Sequence, residues 1–172
     1  LTWARSRIVV DPLERFSGAV TAFDALGDEI AAAAEQSITV QTAYLIPHDG
    51  TESGIEELTA RGVRVRLMTN SLMSNNHVSV HGHYAKHRKR LFKSGAELYE
   101  LRANAGLLDY YRGEDDNLTR SHSGLHTKAF VVDDNLSGVG SYNLDPRSRD
   151  WNSEITLLVY GQEFGRQLLA TM

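Results

Sequence analysis

The stretch "LHTKAFVVDDNLSGVGSYNLDPRS", residues 125–148, holds a histidine and a lysine two positions apart, then an aspartate, then Gly-Ser-x-Asn. Two cationic or protonatable groups side by side suit an anionic guest. Residues 125–133 read as a strand, and side chains on a strand alternate between faces. His126 and Lys128 then share one face, and Leu125, Thr127 and Ala129 take the other. Gly140 allows backbone to come close to a ligand. Ser141 and Asn143 add a hydroxyl and an amide that can hold a phosphoryl oxygen. Glu154 opens the following strand. There a carboxylate can grip one nitrogen of His126, fix its tautomer and leave the other nitrogen free to attack.

These groups need a scaffold, and the rest of the chain reads as one. Short strands are expected at 5–10, ending at Asp11-Pro12, and at 38–46, 63–69 and 96–101. Helices are expected at 26–37, rich in alanine with an acidic start, at 52–62, and at 83–95, the last two closed by glycine. Strands alternating with helices through 38–101 imply right-handed β-α-β crossovers. Residues 103–124 are polar and read as a surface loop. The later strands, 125–133, 138–141 and 154–160, lack helices between them, and a helix at 162–172 closes the chain. The expected fold is α/β: one domain over 1–172 with a mixed sheet and helices on both faces.

Composition narrows the classes. The chain has 172 residues, 41% apolar and 23% charged, an ordinary soluble balance. The formal net charge of -4 argues against coating nucleic acid through bulk electrostatics. There are no cysteines, so disulfides and thiolate zinc sites are excluded while the compartment stays open. No apolar run reaches the roughly 18–20 residues of a membrane span, and no signal peptide is visible. The first residue is Leu1 rather than Met, which reads as a piece of a longer protein.

The pattern H-x-K-x4-D-x6-G-S-x-N is met in full by His126, Lys128, Asp133, Gly140, Ser141 and Asn143. It resembles the HKD signature of the phospholipase D superfamily. The continuation "NLDPRSRDWNSEITLLV" and the upstream "RGVRVRLMTNSLMSNNHVSVHGHYAKHRKRLFKSGAELYEL" look like the C-terminal half of bacterial cardiolipin synthases of the C type. Those enzymes carry two such motifs, and this chain has one. Only His87 among the other histidines has a lysine two residues on, and the rest of the motif does not follow it. Two explanations stand: half of a two-motif enzyme, or a small one-motif nuclease or phosphodiesterase that pairs as a homodimer. The "NLDPRS…WNSE" context favours the first.

The resemblance implies phosphodiester cleavage with no metal and no cofactor. His126 would attack phosphorus and form a phosphohistidine, and a histidine from the second motif would serve as acid and then base. Lys128 would neutralise the phosphoryl oxygens, a contribution of about 3–4 kcal/mol for a preorganised donor. Ser141, Asn143 and Gly140 would complete the phosphate cradle, and Glu154 would orient His126. Asp133 belongs to the motif and is read as holding its loop rather than touching substrate. Asn70, Ser71 and His81 are expected in a polar wall of the pocket. His77, His81 and His83 lack a firm metal-ligand spacing. The helix segment 86–93 groups Lys86, Arg88, Lys89, Arg90 and Lys93, either a solvated face or a contact for anionic lipid headgroups. Implied partners are a phosphatidylglycerol-like lipid and a second HKD half, in cis or as a homodimer. Nucleic acid enters only under the nuclease alternative. The implied location is cytoplasmic or peripheral at a bacterial inner membrane. A third role is non-enzymatic, with a lone half-site binding anionic phospholipid.

Overall fold

The computed structural model describes residues 3–12, 21–103 and 124–172. Seven strands form one sheet: β1 (Arg5–Val10), β2 (Ser37–Thr42), β3 (Arg64–Asn70), β4 (Glu97–Leu101), β5 (Lys128–Val132), β6 (Leu136–Gly140) and β7 (Ile155–Tyr160). Their order across the sheet is β1-β7-β6-β5-β2-β3-β4. β2, β3 and β4 run parallel, joined through the helices α2 (Thr51–Ala60) and α3 (Val78–Lys93). Every other neighbouring pair is antiparallel. The mixed α/β sheet expected from the strand spacing is therefore present.

Helices cover both faces. α1 (Ala22–Ala33), α2 and α3 pack on one face, where Ile38, Leu45, Ile55, Val65, Leu67 and Leu91 form the main core. Phe23 and Leu26 of α1 join Leu158 of β7 in a second cluster on that side. On the opposite face Leu169 and Met172, at the end of α5 (Gln162–Leu169), lie beside Thr39, Arg66 and Met68. A short helix, α4 (Pro146–Asp150), follows the motif.

Several boundaries differ from the sequence expectation. α1 begins at Ala22, not 26, because the Thr21 hydroxyl caps it by accepting from the Asp24 N–H at 3.0 Å. It stops at Ala33, not 37, because the Asp133 carboxylate holds the backbone that follows. Glu35, Gln36 and Ser37 donate their N–H groups to it at 2.8, 2.8 and 2.7 Å. β2 ends at Thr42, since Leu45 and Ile46 turn aside to pair with Leu144. α3 starts at Val78, five residues before the expected helix. α4 was not foreseen: Asp145 caps it through the Ser148 N–H at 2.9 Å, with Pro146 opening its first turn. The expected loop at 103–124 falls almost wholly outside the described residues.

The β5–β6 hairpin turns on Asp133 and Asp134, with φ of 49° and 57°. Asn135 N–H closes the turn on the Val132 carbonyl at 3.0 Å. Two positive φ values in sequence define a type I′ turn, which Asp tolerates better than most residues.

Candidate active site

Lys128 is the first residue of β5 and pairs with Thr42 of β2. Its side chain lies on the α1 side of the sheet, among residues of α1, β2, β6 and β7. The ammonium donates to the carbonyl of His126 at 2.9 Å. Burial pulls its pKa below the ordinary lysine value, while the carboxylates of Glu154 and Asp145 push the other way. A cation partly stripped of water and facing two carboxylates is well placed to receive an anionic oxygen.

His126 is exposed and stands two residues before β5 begins. The alternation argument therefore does not govern it, because the residue is outside the ladder. What fixes its neighbourhood is Asn70, at the end of β3. Asn70 accepts from the Leu125 N–H at 2.7 Å and donates to the Leu125 carbonyl at 2.9 Å and the Ala43 carbonyl at 3.0 Å. Asn70 thus grips the backbone just ahead of His126 rather than lining a wall.

Glu154 is buried, at 4% exposure, directly before β7. One carboxylate oxygen accepts from the Ser141 hydroxyl, the other from the Asn152 amide at 3.0 Å. Its backbone is held by Asp11, whose carboxylate accepts the Glu154 N–H at 3.2 Å and whose own N–H donates back at 3.1 Å. The carboxylate therefore engages Ser141 and Asn152 and faces Lys128. A bond to His126, expected from the sequence, is not among those it makes with the described residues. Ser141 in turn accepts from the Ile155 N–H at 3.0 Å. Its hydroxyl is committed to β7.

Asn143 is buried and cross-braced. Its side-chain oxygen accepts from Thr42 at 3.4 Å, and its N–H donates to the Ser148 hydroxyl at 3.1 Å. Gly140 pairs with Thr156, and a β-carbon there would overlap the Ile155 carbonyl and the Thr156 side chain. The close approach that requires glycine is thus to β7. Asp133 sits at the far end of β5, roughly 16 Å along a strand rising about 3.3 Å per residue, where it clamps the α1–β2 connection.

The other wall candidates have partners of their own. Ser71 shares its hydroxyl with that of Ser74 at 3.1 Å. His81 is buried in α3 edge-on to Tyr84, at 5.6 Å between ring centroids. Thr42, Asp11, Asn152 and Ser148 support the site and were not singled out from the sequence. Asp11-Pro12 read only as a strand end, and nothing local in the chain links position 11 to position 154.

A seven-stranded mixed sheet with His126, Lys128, Ser141, Asn143 and Glu154 gathered at one end of its central strands is the framework of a phospholipase D-like protein. Residues 27–172 match the family described as "Cardiolipin synthase, PLD-like domain", and the chain belongs to that family. It is 32% identical to cardiolipin synthase C of Escherichia coli (strain K12) over 168 residues, which is 92% of this chain and 34% of that protein. The chain thus spans about a third of that relative's length. NucT from Helicobacter pylori has a similar fold, with a TM-score of 0.68 at 17% identity, over 97% of this chain and 92% of that one. Nuc from Salmonella typhimurium, a phospholipase D family member, gives 0.64 at 17% identity, over 98% and 91%.

Proposed function

We propose that this chain is the C-terminal catalytic half of a phosphatidyltransferase of the cardiolipin synthase kind, working through a phosphohistidine on His126. The observation that carries the reading is the pairing of an exposed imidazole with a partly desolvated ammonium, Lys128, joined through the His126 carbonyl at 2.9 Å. Lys128 would bind the phosphoryl oxygens and stabilise charge as His126 attacks. The bond from phosphorus to the leaving alcohol breaks as the bond to the imidazole forms. An incoming alcohol, or water, then displaces the histidine. Asn143 would brace the phosphate, with the buried Glu154 and its partner Ser141 as a support that keeps Lys128 and the β6–β7 edge in place.

One imidazole cannot be both nucleophile and acid in the same step, so a second phospholipase D-like unit must contribute its own. A bare apolar face supports its docking. Ile8, Leu157 and Val139 form one exposed cross-strand row on β1, β7 and β6, and Val10 and Ile155 a second. Ile155 directly follows Glu154, so this surface begins beside the site. Among the described residues no helix is long and apolar enough to cross a membrane. Contact with anionic lipid would fall to exposed groups such as Lys86, Arg88, Lys89 and Lys93 of α3.

The alternative is a homodimeric nuclease or phosphodiesterase. It is favoured by the near-complete overlap with the whole length of NucT and Nuc. Assay of the chain, alone and with its preceding segment, against phosphatidylglycerol vesicles and single-stranded DNA separates the two. Lipid turnover that needs the longer protein supports the first reading. A dimer of this chain that cuts DNA and ignores lipid overturns it. Loss of radiolabelled phosphate from the protein in His126→Ala identifies the nucleophile.

A further inference from the structure

A cavity of about 200 Å³ lies between α1 and the sheet, directly against Lys128. Its walls are apolar, chiefly Phe23, Leu26, Ile30, Val40, Phe130 and Leu144, and its polar end carries Thr42, Thr156 and Lys128. A neighbouring cavity of about 340 Å³ shares Phe23, Ile30 and Tyr142 and runs on toward His48 and α2. The space is a cleft partly open to solvent, and a water molecule's share of volume is about 30 Å³. A space several times that size, with greasy walls, holds water poorly and takes apolar guests well.

The sequence keeps this space open. A β-carbon on Gly138 would overlap the ring of Phe130, so the bare glycine lets that ring lie over β6. Gly27 lines the cavity from α1 with no side chain, and a β-carbon there would meet nothing within 4 Å. Tyr142, within the Gly-Ser-x-Asn segment, stacks on Phe23 with ring centroids 4.6 Å apart and planes 12° from parallel. The motif is thereby tied to the cavity wall.

We propose that this cavity receives an acyl chain of the phospholipid whose phosphate rests at Lys128. Apolar walls that end at Lys128 match an amphiphile with an anionic head. A nucleic acid strand brings no such tail. The inference rests on the phospholipid reading above and names where that substrate's apolar part goes.

The test is binding of butyl, hexyl, octyl and decyl phosphate below their micellar concentrations, with inorganic phosphate as the head-only probe, followed by calorimetry. Affinity should rise about 3–4-fold per methylene in the shorter members and level off once the cavity is full. Gly27→Leu and Val40→Phe should flatten the rise while leaving inorganic phosphate binding unchanged. Gly27→Leu places its branch in open space on a helix, so folding is preserved. Phosphate binding with no dependence on chain length would overturn the cavity's role and leave the phosphodiester reading standing. A full rise retained in both variants would do the same. Failure of every phosphate to bind would sink both.

Discussion

Asn70 clamps Leu125 with both ends of its amide: the oxygen accepts the Leu125 N–H at 2.7 Å and the nitrogen donates to the Leu125 carbonyl at 2.9 Å. The residue is 2% exposed, and a third bond to Ala43 locks its orientation. The next residue in the chain is His126. A side chain on β3 therefore sets the backbone from which the proposed nucleophile projects. Asn70→Ala would leave buried backbone groups unpaired, at about 1–3 kcal/mol for each. The expected outcome is a loss of about 3 kcal/mol in urea denaturation and a fall in kcat of at least tenfold with KM little changed. Equal losses in kcat and KM, or none, would show that Leu125 does not position the histidine.

Asp133 offers the opposite case within the same motif. Its carboxylate takes three backbone N–H groups from residues 35–37 and lies a whole strand away from Lys128. Hydrogen bonds to a charged group contribute about 1.5–3 kcal/mol each, though these are partly exposed. Asp133→Ala should cost about 2 kcal/mol of stability. Activity per folded molecule should stay within about twofold of the parent at a temperature well below the midpoint. A large loss in the folded enzyme would instead give Asp133 a part in the chemistry.

What could be read from the sequence, and what could not, follows from how far each effect reaches along the chain. The mixed sheet was legible because strand and helix periods are local, and so were the glycine stops after α2 and α3. His126, Lys128, Ser141 and Asn143 were legible as a set because their spacing is fixed within eighteen positions. The end of α1 was not, because its cause sits at Asp133, 98 positions from Glu35. Glu154 stood out in the sequence as a possible partner of His126, but its hydrogen bonds run elsewhere. Ser141 and Asn152 reach it first, and Asp11 holds it from 143 positions away. Gly140 was noticed for a ligand's approach, whereas the crowding is against Thr156 across the β6–β7 pair.

The Lys128–Glu154 relation predicts a pH dependence. Burial lowers the Lys128 pKa, and Glu154 partly offsets this. If the ammonium must be charged, the alkaline limb of the rate profile falls below the ordinary lysine value. Glu154→Gln removes a carboxylate that favours the charged form, so that limb should move to still lower pH. Lys128→Arg should carry it beyond the accessible range while lowering kcat. The stability sign is separate. Below the folded pKa both folded and unfolded states hold the proton, and the fold bears the cost of the desolvated charge. As pH rises from the folded pKa to the ordinary lysine value, the unfolded chain binds more protons and this cost is relieved. The stability difference between the parent and Lys128→Met should therefore shift in the parent's favour across that window, as read by denaturation at stepped pH.

The exposed apolar face of β1, β7 and β6 is where the proposed second unit would dock. Ile8, at 63% exposure, stands opposite Leu157, and Leu157 stands opposite Val139. Contiguous apolar rows on a sheet are unusual at a solvent surface and common where another unit packs. Single substitutions at exposed positions change stability by about 0.5 kcal/mol or less, so Leu157→Lys should fold normally. A lysine in the middle of a dehydrated contact would nonetheless oppose docking. Sedimentation should show association of the parent, with itself or with a second phospholipase D-like unit supplied in trans, and its loss in Leu157→Lys. Turnover should vanish with it while phosphate binding at Lys128 persists, because only the partner's imidazole has been removed. Unchanged association in the variant would move the docking surface elsewhere on the molecule.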